Sequence, residues 1–158
     1  MPHNKPRPTQ PIDTTYIVAD FRKHGDFHNS GHQVYAIDLL SNGLEYDSVF
    51  HIYGSGCNLY LSDIFAHTDS TTRLPAGTYL MDSTAQEMTF LRAMDFDGNI
   101  TGTYLLIISE DQIQRILMFT GGNMNVTYND DNVVLDFNLY TKDSTYYHAT
   151  YTGPAIYR

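Results

Sequence analysis

From Gly121 to Gly153 the chain alternates apolar and polar positions over three runs joined by two short polar turns. In the first run Met124, Val126 and Tyr128 share one face, and Asn123, Asn125 and Thr127 share the other. Successive side chains of an extended strand leave opposite faces, so this alternation predicts a strand buried on one side. Val133, Leu135, Phe137 and Leu139 continue the apolar face on the second run. Tyr146 to Tyr151 returns as a third run of aromatic and β-branched residues, which suit a pleated surface. Asn129-Asp130-Asp131 and Lys142-Asp143-Ser144 lie between the runs, where Asn and Asp favour tight turns. The stretch predicts an antiparallel meander.

The preceding chain repeats the cadence less regularly. Strands are expected over Thr14–Phe21, Gln33–Leu40, Glu45–Tyr53, Asn58–Phe65, Thr78–Met81, Met88–Met94, Thr103–Ser109 and Ile113–Phe119. Asp63 interrupts the apolar face of its strand, and one helical turn over Ser62 to Ala66 is the alternative there. Glu110-Asp111-Gln112 admits a helical start. Leu74-Pro75-Ala76-Gly77 and Asp97-Gly98 read as turns, the second as a hairpin dipeptide because both residues tolerate positive φ. Short strands separated by turn residues, with no long helical stripe, predict an all-β domain. The expected architecture is an antiparallel meander forming a flattened, calycin- or lipocalin-like β-barrel, with a two-sheet sandwich as the alternative. Closure removes the exposed edges that such strands would otherwise present.

Four of the six prolines fall between Pro2 and Pro11. Proline fixes φ and lacks the amide hydrogen, so residues 1–13 are expected to be an extended linker or disordered end, and residues 14–158 a single β domain. A chain of 158 residues can bury roughly 70% of its unfolded surface in one core. The net charge of −9 argues against binding to nucleic acid or an anionic membrane, because the long-range field has the wrong sign. No apolar run reaches the roughly 20 residues that a spanning helix needs. Cys57 is the single cysteine, which excludes an intrachain disulfide and a cysteine-built zinc cluster.

His24, His28 and His32 recur at four-residue intervals with Asp26 among them, a spacing that on a helix would place three metal-binding imidazoles on one face. Gly25, Asn29-Ser30 and Gly31 oppose a helix, so a polar loop is the simpler reading and no metal ligand is assigned. Asp95, Asp97 and Asn99 alternate as in part of a calcium loop, yet no Glu follows to close the coordination, and a hairpin turn explains them. Cys57 follows Gly54-Ser55-Gly56 and would need a base such as His51 or His148 to act as a nucleophile. A small, partly buried cysteine is the plainer account. No phosphate-binding loop, paired-carboxylate motif or Ser-His-Asp signature is present, so no catalytic residue and no cofactor are assigned. What remains is the polar face of the meander. Tyr128, Tyr140, Tyr146 and Tyr151, set among Asn and Asp, are the candidate ligand-binding residues, because rings give rigid contact area and amides directional hydrogen bonds. Ordinary cross-strand pairing of tyrosines is the competing explanation.

Gly56-x-Asn58-x-Tyr60-Leu61, Leu74-Pro75-Ala76-Gly77-Thr78-Tyr79, Gly122-x-Met124-x-Val126 and Tyr151-Thr152-Gly153-Pro154 follow one another in an order that resembles uncharacterised exported β-domains of gut bacteria. Many of those are lipoproteins held by a polar tether. The resemblance covers most of Gly56 to Tyr157 and implies a periplasmic or cell-surface location, with a lipid anchor upstream of the sequence given. The segment MPHNKPRPTQP itself lacks the apolar region of a signal peptide. No activity is implied. The expectation is therefore a non-enzymatic exported binding or adhesion module whose ligand is a glycan or a peptide. A barrel holding a small apolar ligand is the alternative, and a metal-dependent hydrolase using the histidines is the second.

Overall fold

The computed structural model of this protein describes residues 12–158, and most of the expected Pro-rich linker lies outside them. Fourteen strands and no helix make up the described chain, as the all-β expectation requires. In order they are β1 (Ile12–Lys23), β2 (Gln33–Ser41), β3 (Leu44–Tyr46), β4 (Ile52–Gly54), β5 (Gly56–Ala66), β6 (Gly77–Met81) and β7 (Thr89–Phe90). Then follow β8 (Met94–Phe96), β9 (Asn99–Thr101), β10 (Thr103–Ser109), β11 (Gln112–Asn129), β12 (Asn132–Thr141), β13 (Tyr146–Pro154) and β14 (Ile156–Tyr157).

The meander is present, and it is longer than its alternation suggested. The runs expected on either side of Gly121-Gly122 are one strand, β11, of 18 residues. Gly122 adopts φ +129°, where an added Cβ would lie 2.2 Å from the carbonyl oxygen of Asn138, so the strand bends at a residue with no side chain instead of ending. Glu110-Asp111 is no helical start: both residues have positive φ, 50° and 66°, and form the tight turn joining β10 to β11. Glu45–Tyr53 is not one strand but the hairpin β3–β4, closed by Asp47, whose carboxylate accepts from the amides of Val49 and His51. No helical turn forms at Ser62–Ala66. Asp63 takes φ 53° within β5, and the strand continues through it.

Ten strands form one mixed sheet. Along it β10, β11, β12, β13, β1, β2 and β5 are successive neighbours, and β10 also pairs with β5, which curls the sheet into a partial ring. It departs from a uniformly antiparallel, lipocalin-like barrel, and it is not split into the two sheets of a sandwich. The difference lies where β1 meets the end of the chain. β1 runs parallel to β13 over Ile12–Tyr16, then parallel to β14 at Asp20 and Phe21. Pro154, which has no amide hydrogen to give, lies between those two contacts. β6 and β7 form the other parallel pair.

The concave side is filled by a single apolar core. Tyr16, Phe21, Tyr79, Phe119, Phe137 and Tyr147 are among its largest side chains, all buried. The two buried phenols Tyr16 and Tyr147 bond to each other, so neither hydroxyl is left unpaired in an apolar surround. A second cluster of Leu40, Leu44 and Ile108 sits on the convex side, where the β3–β4 hairpin covers the sheet. Among the described residues no helix is long and apolar enough to cross a membrane.

Candidate functional site

The four tyrosines picked from the sequence do not share a surface. Tyr151 is buried, with its hydroxyl donating to the carbonyl of Pro154 at 2.7 Å. Tyr128 is half-buried: its hydroxyl donates to the carbonyl of Leu74 at 2.5 Å and lies 3.1 Å from that of Tyr157, while the guanidinium of Arg73 covers its ring at 3.9 Å. Burial, joined by the neighbouring Tyr157, pushes the Tyr128 phenol well up. Tyr151 belongs to the apolar core, and Tyr128 packs against it. Tyr140 and Tyr146 are exposed on the opposite face as a directly facing cross-strand pair, with ring centroids 6.0 Å apart. Tyr140 also lies over Gly121, where a Cβ would stand 2.2 Å from its ring. A glycine within a sheet covered by a facing ring needs no ligand to explain it. Period-two counting already separates them: Tyr128 is in phase with buried Met124 and Val126, whereas Tyr140 is out of phase with buried Leu139.

The histidines also separate. His28 lies 3.3 Å from Asp63, His51 is 3.5 Å from Asp47, and the Nε2 of His148 lies 2.8 Å from the carboxylate of Asp136. Among the described residues no group of three His, Cys, Asp or Glu side chains gathers as a metal site. Asp26 accepts from the amides of Ser30 and Gly31 at 2.8 and 3.0 Å, which ties the histidine-bearing segment into a loop. Cys57 is half-buried, and burial pushes its thiol up, the direction opposite to that of an activated nucleophile. Asp95 accepts from the amide of Gly98 at 2.8 Å within the β8–β9 hairpin turn. The glycine break at Gly54 to Gly56 is pinned to the β10–β11 turn: the Gly54 amide donates to Asp111 at 2.6 Å, and the Asp111 amide to the Gly54 carbonyl at 2.9 Å.

A different constellation occupies the convex face of β1, β2, β5 and β10. β2 is buried on both sides along nearly its whole length. Its outer residues Val34 and Ala36 lie beside the His24–His32 loop, and Leu40 lies under the β3–β4 hairpin. Asp38 falls between these two covers. Register places Asp20, Asp38, Tyr60 and Tyr104 opposite one another in a row across four strands.

Two carboxylates facing each other across strands repel, so the row exists only because each is separately held. Asp20 takes two hydrogen bonds from the guanidinium of Arg158, one of them 3.0 Å from Nε, and Arg22 stands 3.6 Å away. Arg158 in turn lies on the ring of Phe50, 4.2 Å from its centroid. Asp38 accepts from the hydroxyl of Tyr46 at 3.0 Å and from the amide of Asn58, whose nitrogen also reaches the Leu39 carbonyl. Burial nevertheless pushes the Asp38 carboxyl above its ordinary range, and Asp20 adds to the rise, against the opposing pull of Asn58, Tyr46 and Arg22.

Beyond Asp38 the row becomes aromatic. Tyr60 and Tyr104 lie 5.4 Å apart, and next to them a hollow of 120 Å³ is lined by His24, Phe27, Ala36, Tyr60, Ser62 and Asp63. Phe27 is 71% exposed. Asp63, which carries the His28 contact, holds a left-handed backbone conformation that non-glycine residues seldom adopt. Sequence reading missed this site because its members are scattered over 85 positions of chain, from Asp20 to Tyr104. One signal was available: Asp20 and Asp38 each interrupt an otherwise apolar strand, and a buried carboxylate requires partners.

Comparison of the chain with protein-family models, with curated proteins and with solved structures gave no match.

Proposed function

We propose that this domain is a non-enzymatic binding module that takes a glycan on the convex face of β1, β2, β5 and β10. The observation that carries the reading is the Phe27 hollow, where an exposed ring and the Tyr60–Tyr104 pair stand beside the Asp63–His28 pair. A sugar offers C–H faces that stack on rings and hydroxyls that bond to carboxylate and imidazole, so rings alternating with such groups match it chemically. The acidic excess of the chain does not oppose a neutral ligand. The non-enzymatic part rests on commitment of the reactive groups: Asp20 is taken up by Arg158, Asp38 by Tyr46 and Asn58, and the Cys57 thiol is shifted away from reactivity. An exported address, periplasmic or at the cell surface with a lipid anchor upstream, accompanies the reading and rests on the resemblance of the Gly56–Tyr157 segment. Cell fractionation with and without lipid extraction tests the address.

A glycan array tests the binding. The expected result is a hit that is lost in Phe27→Ala and in Tyr60→Ala and kept in Tyr140→Ala. An array without hits, or hits indifferent to Phe27 and Tyr60, removes the proposal. The barrel holding a small apolar ligand finds no support in the core, whose interior is occupied by its own aromatic side chains.

A further inference from the structure

The long strand β11 is paired on one side only over its first third. Residues Gln112–Met118 bond to β10, whereas pairing with β12 begins at Phe119, opposite Thr141. Among the described residues no strand occupies the other side of Gln112–Met118. The turn Lys142-Asp143-Ser144 carries the chain away to β13 at the point where β12 would have continued. The result is a notch in the sheet, a cleft of 640 Å³ lined by Arg115, Ile116, Leu117, Met118 and the Thr141–Asp143 corner. Ile108 faces Ile113 and Ile107 faces Arg115, so Gln114 is a bulged residue, and the straight register open to a partner is Arg115–Met118.

An open edge presents unpaired amides and carbonyls that bond to any extended chain laid alongside. Its side chains decide which chain. Ile116 and Met118 point to one face and Arg115 to the other, with Lys142 at the end of the notch. Among the other described cations Arg22 and Arg158 are committed to Asp20, Arg73 to the ring of Tyr128 and Lys23 stands over the ring of Tyr157, while Arg92 is exposed. Arg115 and Lys142 have no ion pair among the described residues, which makes the notch a basic spot on a chain of net charge −9. Asp143, at the same corner, accepts from the hydroxyls of Thr141 and Thr145, which hold its carboxyl below the ordinary range and keep it ionised, so the notch carries two cations against one carboxylate. A second copy of this chain would bring Arg115 and Lys142 of both molecules into one short interface, so like charges oppose that occupant.

We propose that the Arg115–Met118 edge binds an extended acidic peptide by strand addition, apolar residues meeting Ile116 and Met118 and carboxylates meeting Arg115 and Lys142. This inference does not rest on the glycan reading: it uses the backbone edge of β11, and Ile116 and Met118 emerge on the convex face, with Met118 opposite Tyr104 in register.

The probe is a blocked heptapeptide, Thr-Val-Glu-Val-Glu-Val-Thr, followed by amide hydrogen exchange and chemical-shift perturbation on the full chain. The expected result is slowed exchange at Arg115–Met118 and binding at least about tenfold tighter than for the same peptide with Lys in place of Glu. Methylating alternate backbone nitrogens of the acidic peptide, with composition otherwise kept, is expected to abolish binding. In the exposed double variant Arg115→Glu/Lys142→Glu the preference reverses to the Lys peptide. No protection at millimolar peptide, equal binding of the N-methylated peptide, or concentration-dependent self-association through these amides overturns the proposal.

Discussion

Asp38 offers the most direct test of the physical account of the convex face. Its carboxyl titrates above the ordinary value of 3.8 in the folded protein, chiefly through burial, with Asp20 directly opposite adding to the rise. The unfolded chain ionises at the ordinary value. Between the two, the folded state binds more protons than the unfolded one, so stability falls as pH rises through that window. Below 3.8 the residue is protonated in both states, and above the raised value it is ionised in both, so it contributes no slope on either side. Asp38→Asn removes the titration while keeping the shape. Subtracting the variant's unfolding free energy from that of the parent cancels the other carboxylates and leaves a curve that declines from about pH 4 upward and then levels. A single proton limits the steepness to about 1.4 kcal/mol per pH unit. Tyr46→Phe sharpens the test. The Tyr46 hydroxyl favours the ionised form, so its loss drives the carboxyl further up and extends the declining window to higher pH. Hydrogen bonds to charged groups contribute about 1.5–3 kcal/mol; because Tyr46 is half-buried, about 1 kcal/mol is expected at neutral pH. Urea unfolding read by circular dichroism from pH 3.5 to 8 measures both. A difference curve that rises with pH over this range would refute the claim that burial dominates over the two hydrogen-bond donors.

Three further outcomes follow from the packing. Gly122→Ala is expected to lose about 1–3 kcal/mol from its backbone conformation alone, plus the clash with Asn138. By contrast Gly25→Ala, at φ +62° with nothing within 4 Å, is expected to lose only the left-handed backbone cost of about 1–2 kcal/mol, with no clash added; equal losses would show that the bend in β11 is not constrained. Phe137→Ala, at the centre of the core, should cost about 3–5 kcal/mol in urea unfolding, and a loss below 1 kcal/mol would mean that the interior is not close-packed there. Cys57 should react with iodoacetamide at pH 8 about tenfold or more slowly than a cysteine peptide, and parity would contradict its burial.

The sequence determined the local structure wherever one face of a strand is wet. The alternation from Met124 to Leu139 could be satisfied in one way only, because a one-residue slip exposes Val126, Leu135 and Phe137 together. Turn dipeptides such as Asp97-Gly98 were equally local, since their backbone conformation excludes most residues. Tertiary structure decided everything that depends on which strands become neighbours. Gly121-Gly122 looks like a break and is a bend, because β12 and β6 both pair along β11 just beyond it. The parallel contacts of β1 with β13 and β14 join segments more than 130 positions apart, a separation at which no local pattern operates. The candidate sites belong to the same class. The Asp20–Asp38–Tyr60–Tyr104 row exists only because three registers coincide across four strands, and the β11 notch only because β12 ends opposite Phe119 and leaves the first seven residues of β11 uncovered on that side. Period-two patterning specifies the face on which a side chain emerges, not the partner strand beside it. A site formed across strands is therefore settled by pairing and closure, where long-range hydrogen bonding and core packing act together.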